Sequence, residues 1–345
     1  MGSWLSLWLH RLGARVTGYG LDPPTQPSHF VAAEIGELLV EDARGDLRDA
    51  ELLTRTVQRC EPDVVFHLGA QPLVLWGLEH PKETFDVNVM GTVNLCDAVR
   101  AAGRPCTVVV ATSDKAYRND GQGRAFRESD PLGGRDPYSA SKAGAEMVVA
   151  AYRSSFFAPE RRAEHGVDLT SVRAGNVIGG GDWAADRLVP DAVRALSAGL
   201  DLVVRNPAST RPWQHVLEPL SGYLTVATRA VGGPDGVTEA SWNFGPDPSE
   251  VVTVEDLASA VVGHWGSGRW VAAGSGPVAK EATLLHIAIE KAATELGWHP
   301  RWDFARAVAA TVGWYRAFYD DERSSMRDQS LADIAAYEES TPASV

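Results

Sequence analysis

The chain has 345 residues, 44% of them hydrophobic and 22% charged, enough to bury a sizeable core and shape a deep cleft. Its formal net charge of −13 argues against a general nucleic-acid binder, which would carry basic stripes, and leaves any bound anion to a few placed arginines and backbone amides. Cys60, Cys96 and Cys106 stand far apart without metal-like spacing, which fits a reducing cytoplasm, and no apolar run reaches the ~18 residues of a membrane span.

The predicted elements follow in chain order. Gly2 to Leu12 puts Trp4, Leu5, Leu7, Trp8, Leu9 and Leu12 on an apolar helical face. With no basic leader, and with a strand soon after, this segment is read as a helix and not as a signal peptide. Ala14 to Leu21 reads as a strand closed by Asp22-Pro23-Pro24. Asp49 to Arg59 is amphipathic, Val64 to Leu68 is a short apolar strand, and Thr84 to Ala102 is helical. Thr107 to Ala111 is a buried strand, Tyr138 to Phe157 a long helix, and Leu169 to Arg173 begins the next strand. Strands alternating with helices over short joins predict an α/β fold, a Rossmann-type doubly wound parallel sheet covered on both faces. Two helices are apolar on more than one face: Phe85, Val87, Val89, Met90, Val93, Leu95 and Val99 in one; Ala143, Ala145, Met147, Val148, Val149 and Ala150 in the other. A helix on a sheet needs only one buried stripe, so the surplus predicts a homodimer built on these two helices.

From about Asn176 the pattern is less regular, with many Gly, Pro and Trp. Helices are expected over Arg187 to Leu200, Val254 to Trp265, Ala288 to Leu296 and Phe304 to Tyr319. The expected division is a dinucleotide-binding domain over 1–174, with 213–245 returning to it. Residues 175–212 and 246–330 would form a smaller C-terminal substrate-binding lobe, and 331–345 a tail, disordered from Thr341.

A dinucleotide fold needs a Gly-rich turn between its first strand and helix, and an acid at the end of the second strand. Asp22 is such an acid, about 20 positions after Gly2. Its carboxylate would accept from ribose hydroxyls and repel a 2′-phosphate, favouring NAD over NADP; a turn Asp before Pro-Pro is the plainer alternative. Only Gly2 remains of a Gly-rich turn, so Met1 is expected to stand inside that turn with the first strand lacking; genuine loss of function is the alternative. Further along, Asp46 is placed to meet the adenine amino group, with Leu47 packing on the ring. Leu68, Gly69, Ala70 and Gln71 end a strand with small residues that let backbone approach a cofactor, and His67 reads as a core histidine.

Tyr138 and Lys142 stand at i and i+4, on one helical face. A phenol near pKa 10 is a poor base at neutral pH, and a neighbouring ammonium with a positive nicotinamide would lower it. The pair follows Thr112-Ser113-Asp114-Lys115 at the end of a buried strand, where Ser113 could hydrogen-bond the same substrate hydroxyl. Together they point to an NAD-dependent oxidoreductase-type chemistry.

These residues resemble the extended short-chain dehydrogenases/reductases, and most closely the CDP-glucose 4,6-dehydratase family. The resemblance runs from Gly2 to about Tyr319. It rests on Gly2 to Leu9, Leu21 to Pro24, Ala70 to Val74, Thr112 to Lys115 and Asp136 to Lys142. It rests above all on Arg173-Ala174-Gly175-Asn176-Val177-Ile178-Gly179-Gly180-Gly181-Asp182-Trp183 and Arg211-Pro212-Trp213-Gln214-His215-Val216. It implies a lyase with tightly held NAD, acting on CDP-glucose in deoxysugar biosynthesis: oxidation at C4, loss of water across C5 and C6, and reduction at C6. Tyr138 would take the 4-hydroxyl proton, Lys142 hold the nicotinamide ribose, and Asp114 protonate the departing C6 hydroxyl. In the dTDP-glucose enzymes a Glu follows that Asp as C5 base. Here Lys115 stands in its place, as base if its pKa is lowered, or else as a diphosphate contact. A nucleotide-sugar epimerase of the same superfamily, or a truncated non-catalytic homologue, are the alternatives.

In the second half, Asn176 ends a strand beside Gly179 to Gly181, which would allow close backbone approach. Arg187, Arg205 and Arg211 are candidate diphosphate partners because a guanidinium matches phosphate oxygens in a fork. Trp183 and Trp213 would stack or merely pack. The family's His-Glu-Ala is Lys280-Glu281-Ala282 here, and Ala288 stands where an Asp is expected at the nucleotide end.

Overall fold

The computed structural model describes residues 1–119, 121, 123–232, 240–250, 252–273, 286–320 and 324–341. The elements run α1 (Gly2–Arg11), β1 (Thr17–Gly20), α2 (His29–Ala32), β2 (Glu41–Arg44), α3 (Ala50–Cys60), β3 (Val64–His67), α4 (Val74–Glu79), α5 (Pro81–Phe85), α6 (Gly91–Ala102), β4 (Cys106–Ala111), α7 (Pro137–Ser155), α8 (Arg162–His165) and β5 (Val167–Ala174). They continue with β6 (Val177–Ile178), α9 (Leu188–Ser197), β7 (Leu202–Val204), β8 (Gln214–His215), α10 (Leu217–Gly232), β9 (Ser241–Phe244), α11 (Val254–Trp265), β10 (Trp270–Ala272), α12 (Phe304–Asp320) and α13 (Met326–Glu339).

The alternation of short apolar strands with helices produces the parallel ladder β3-β4-β5-β9, and β1 pairs β2 in a separate parallel ladder. Side chains alternate across β4 as a pleat requires: Val108 and Val110 face one core, Val109 the other. The first core is closed by Leu53 and Val57 of α3, Leu95 and Val99 of α6, and Val149 of α7. The second is closed by α1, α9, α10, α11 and α12 through residues such as Leu5, Val193, Leu220, Val261 and Val308. Helices therefore cover both faces, as the sequence predicts for a Rossmann-type fold. Among the described residues, no helix is long and apolar enough to cross a membrane.

Several boundaries differ from expectation. The helix expected over Thr84 to Ala102 contains a π-helical turn, Asp86–Met90, ahead of α6. That turn buries Asn88, whose Oδ1 accepts from the Gln71 amide (2.8 Å) and whose Nδ2 donates to Ser141 Oγ (2.8 Å). A wide turn of this kind is a common device near functional sites. Residues Ala292–Leu296 are likewise π-helical, where a plain helix is expected from Ala288. Helix α10 is not among the expected helices; its Pro219 falls in the first turn, where a proline is tolerated. Its Leu217, Leu220, Tyr223, Val226 and Ala230 are all buried.

Residues 331–339, expected as a tail, belong to α13. Its sequence is too polar to show a helical stripe; specific contacts hold it instead. Trp8 Nε1 and the Arg11 guanidinium donate to Glu338 (2.9 and 3.0 Å), and the Tyr337 hydroxyl donates to buried Glu218 (2.7 Å). The disorder expected from Thr341 falls, but for Thr341 itself, on residues 342–345, outside the described residues, as do Lys280, Glu281 and Ala282.

Candidate active site

Helix α7 starts where the sequence says it should. Asp136 caps it, accepting from the Ser139 amide (3.0 Å), and Pro137 fits the first turn. The cap fixes the next turns, so Tyr138 and Lys142 share a face and lie 8% and 6% exposed. The Lys142 ammonium donates to the Ala111 carbonyl at the end of β4 (3.3 Å). An ammonium has three donors, so two remain for a bound ribose. Burial lowers Lys142 to about 8, against a raising influence of Glu146.

Beyond β4 the chain makes a tight 3-10 turn, Asp114–Ala116, capped by Ser113, whose hydroxyl accepts from the Lys115 amide (3.2 Å). The same hydroxyl donates to Asp114 Oδ1 (2.9 Å) and lies near enough to the Tyr138 phenol to lower its pKa. Lys115 sets its ammonium 5.9 Å from the Tyr138 ring centroid. Tyr138, Ser113, Asp114 and Lys115 therefore converge, as their order in the sequence suggests.

The electrostatics depart from expectation at Tyr138. Burial raises its pKa to about 12; Ser113 opposes this most, and Asp114 adds to it. The expected lowering by Lys142 is not what the protein's own groups produce, because desolvation disfavours the phenolate first. Asp114 is 2% exposed with Oδ2 unpartnered among the described residues. Burial raises its pKa, opposed by Lys115, by the Ser113 hydrogen bond and by Arg211. A buried carboxyl kept neutral to higher pH is suited to donate a proton.

At the adenosine end, Asp22 follows β1 with its side chain 91% exposed and Arg44 3.7 Å away, which leaves the carboxylate accessible. Asp46, by contrast, spends both carboxylate oxygens on Arg48 (3.0 Å each to Nε) and accepts from the Arg48 amide. The expected contact of Asp46 with an adenine amino group competes with that pair. Leu47 packs on Gly69 and Gly91, where a Cβ would come within 2.7 and 2.9 Å of its side chain. Leu68 packs against the second core, and Ala70 is half-buried beside it. The Gln71 carboxamide turns inward, donating to Thr84 Oγ1 (2.8 Å), and the Thr112 hydroxyl donates to Glu146. His67 is a core histidine: buried, hydrogen-bonded to Thr92 Oγ1 (3.3 Å), and lowered to about 3 by burial. Helix α1 begins at Gly2 with no acid in its first turn and no side-chain cap, leaving amides for an anion. Of these features, the accessible Asp22 carboxylate and the uncapped α1 N-terminus suit a dinucleotide.

The substrate side is less direct. Arg187 pairs with Asp182 (2.7 Å) and Arg205 with Asp186 (3.1 Å), two acids not singled out in the sequence. Arg187 still bears on Tyr138, lowering its pKa. Arg211 is buried, near enough to Asp114 to stabilise its carboxylate, and donates to the Thr210 carbonyl (2.8 Å). Asn176 joins β6 to β8, its carbonyl accepting from the Gln214 amide (3.0 Å). The glycine run serves the protein's own packing: a Cβ on Gly180 would meet Trp314 at 2.1 Å, and one on Gly181 would meet His29 at 2.4 Å. Trp183 packs edge-on against Trp314 and Tyr315 and donates to the Tyr319 hydroxyl. Trp213 is buried with its indole N–H unpartnered among the described residues. Ala288 is buried too, its carbonyl accepting from Asn243 Nδ2 (3.1 Å).

Comparison with known proteins adds an independent line. Residues 1–234 match the family model described as GDP-mannose 4,6 dehydratase. The chain is 47% identical over 322 residues to the CDP-glucose 4,6-dehydratase of Salmonella typhimurium, covering 93% of this chain and 89% of that protein. The crystal structure of the dTDP-glucose 4,6-dehydratase from Streptomyces venezuelae, with NAD and TYD bound, superposes with a TM-score of 0.72 at 25% identity, over 91% of this chain and 93% of that one. The UDP-glucose 4-epimerase of Thermus thermophilus, solved with NAD, gives 0.75 at 23% identity, over 91% and 95%. At that identity the likeness shows the fold alone.

Proposed function

This chain belongs to the GDP-mannose 4,6-dehydratase family, and from that premise we propose that it converts CDP-glucose to CDP-4-keto-6-deoxyglucose. It is a lyase, a nucleotide-sugar 4,6-dehydratase that uses NAD. The observation that carries this reading is the cluster of buried Tyr138, Ser113 and Asp114 with half-buried Lys115, which sets a phenol, a carboxyl and a lysine amine side by side. An epimerase needs the phenol but not the other two.

When bound, NAD would supply the hydride acceptor for oxidation at C4 and the hydride donor for reduction at C6, with no net change in its oxidation state. Tyr138 accepts the O4 proton, with Ser113 steering the hydroxyl, and Lys142 holds the ribose. The 4-keto group acidifies C5, and Lys115, in its free amine form, takes the C5 proton. Asp114 gives its proton to the C6 hydroxyl, which leaves as water. A proton then returns to C5 as C6 is reduced. Asp22 holds the adenosine ribose, and the α1 N-terminus the pyrophosphate. Leu47, Leu68, Gly69, Ala70 and Gln71 line the cofactor, while Arg211, Arg187, Arg205 and Asn176 receive the substrate diphosphate and sugar. For the two paired arginines, substrate phosphate must displace Asp182 and Asp186. Residues 1–174 with 213–245 form the NAD-binding unit, and 175–212 with 246–330 the substrate lobe.

Incubation with CDP-glucose and NAD tests the reading. A 4-keto-6-deoxy product, which absorbs near-ultraviolet light in alkali, is expected; a 4-epimer would favour the epimerase instead, and unchanged substrate the non-catalytic alternative. We further propose a cytoplasmic homodimer. Phe85, Met90 and Met147 of the two doubly apolar helices are 40%, 47% and 61% exposed, more apolar surface than a solvated face needs. A dimer mass is expected in light scattering at micromolar concentration, and a monomer mass rules it out.

A further inference from the structure

Beneath the converging groups lies a buried ion pair that the proposed chemistry does not use. Arg173, near the C-terminal end of β5, donates from Nε and Nη2 to Glu146 of α7 (2.9 and 2.7 Å). Their side chains are 4% and 3% exposed. The third arm, Nη1, donates to the Tyr117 hydroxyl (2.7 Å) and to the Glu128 carbonyl (3.2 Å). Tyr117 in turn donates to Asn243 Oδ1 (2.7 Å), and Asn243 lies opposite Arg173 in the β5–β9 register. Glu146 also receives the hydroxyls of Thr112 and Ser171.

The connectivity of this cluster is specific. Glu146 stands one helical turn beyond Lys142 and two beyond Tyr138, on the same face of α7. Thr112 and Tyr117 are the residues at either end of Ser113-Asp114-Lys115-Ala116. One end of that segment is tied to Glu146 and the other to Arg173. We propose that the Arg173–Glu146 pair is a positioning device that clamps both ends of the Ser113–Ala116 turn to the helix bearing Tyr138 and Lys142, so fixing the elimination groups against the oxidation groups. A buried ion pair is weak evidence of stabilisation, since apolar residues of similar volume often serve as well. A planar guanidinium is instead the side chain that can hold three partners at fixed angles. None of these residues touches the reacting sugar in this scheme; they act through the turn.

This inference rests on the dehydratase reading, and the test separates the two. Tyr117→Phe removes one hydroxyl and keeps the ring, so the fold survives and only the far end of the turn is released. Amide hydrogen exchange over residues 113–117 is expected to rise by about tenfold, with α7 unchanged. In single turnovers with CDP-glucose, formation of the 4-keto hexose is expected to stay within about twofold. Water elimination is expected to slow about 10- to 100-fold, the scale of a ~1 Å misplacement, at unchanged KM. Arg173→Lys, which keeps the charge but not the fork, is expected to slow both halves. Equal slowing of both halves in Tyr117→Phe, or no change in exchange at 113–117, overturns the clamp. If the wild-type protein makes no 4-keto product, the dehydratase reading fails and the exchange result alone judges the clamp.

Discussion

Tyr138→Phe is expected to lower kcat on CDP-glucose by about 10²- to 10⁴-fold, the usual worth of a positioned acid–base group. The ring is 8% exposed and keeps its packing; only the hydroxyl is lost, so thermal unfolding should shift by no more than a few degrees. The pH profile sharpens the test. A phenolate base works when deprotonated, so wild-type turnover rises with pH through the Tyr138 pKa. Burial holds that pKa at about 12 in the protein by itself, and a bound positive nicotinamide must bring it down. Lys142 sets the opposite limb: its ammonium is lost as pH rises through about 8, and turnover is expected to fall there. The variant should lack the rising limb. A Phe variant within tenfold of wild type would exclude Tyr138 as the base.

The second large effect separates Asp114 from Lys115. Asp114→Asn keeps shape and removes the proton donor, so product formation is expected to drop by about 10²- to 10⁴-fold while oxidation at C4 continues. The raised pKa of Asp114 keeps wild-type elimination active to higher pH than an ordinary carboxyl allows, and it fades as pH rises through that pKa. The Asn variant should show no such fading. Exchange of the C5 proton with solvent deuterium distinguishes the neighbours: Asp114→Asn should still exchange, and Lys115→Ala should not. Exchange at the wild-type rate in Lys115→Ala would remove Lys115 as the base and leave it as a diphosphate contact.

Much of the fold was legible because its signals are local. The runs at Val64, Cys106 and Val167 are short, apolar and separated by helical stretches, which is the signature of a parallel sheet buried on both faces. The Tyr138–Lys142 spacing needs only the helical repeat to put both groups on one face, and Asp136 and Pro137 already announce that helix. Elements without a periodic stripe stayed hidden. Helix α13 is held by the partners Glu218, Trp8 and Arg11, and β9, only four residues long, is too short to distinguish from a loop. The site was legible only in its nucleus. Glu146 could have been noticed as the next polar position on the face of Lys142, but Tyr117, Asn88, Asp182 and Asp186 carry no such mark.

The sequence by itself marked β3, β4 and β5 with the helices between them and put Tyr138 and Lys142 on one face, because periodicity and i,i+4 spacing are properties of neighbouring residues. The tertiary structure decided what each of those groups faces. It joined Arg173 to Glu146 and to Tyr117, 27 and 56 positions away, and Tyr117 to Asn243, 126 away. It turned Asp46 toward Arg48, and it packed Gly180 against Trp314 and Gly181 against His29. It also decided that in the protein by itself burial raises the Tyr138 phenol more strongly than its protein neighbours lower it. Desolvation and hydrogen-bond pairing depend on which distant side chains share a volume, and no local spacing encodes that.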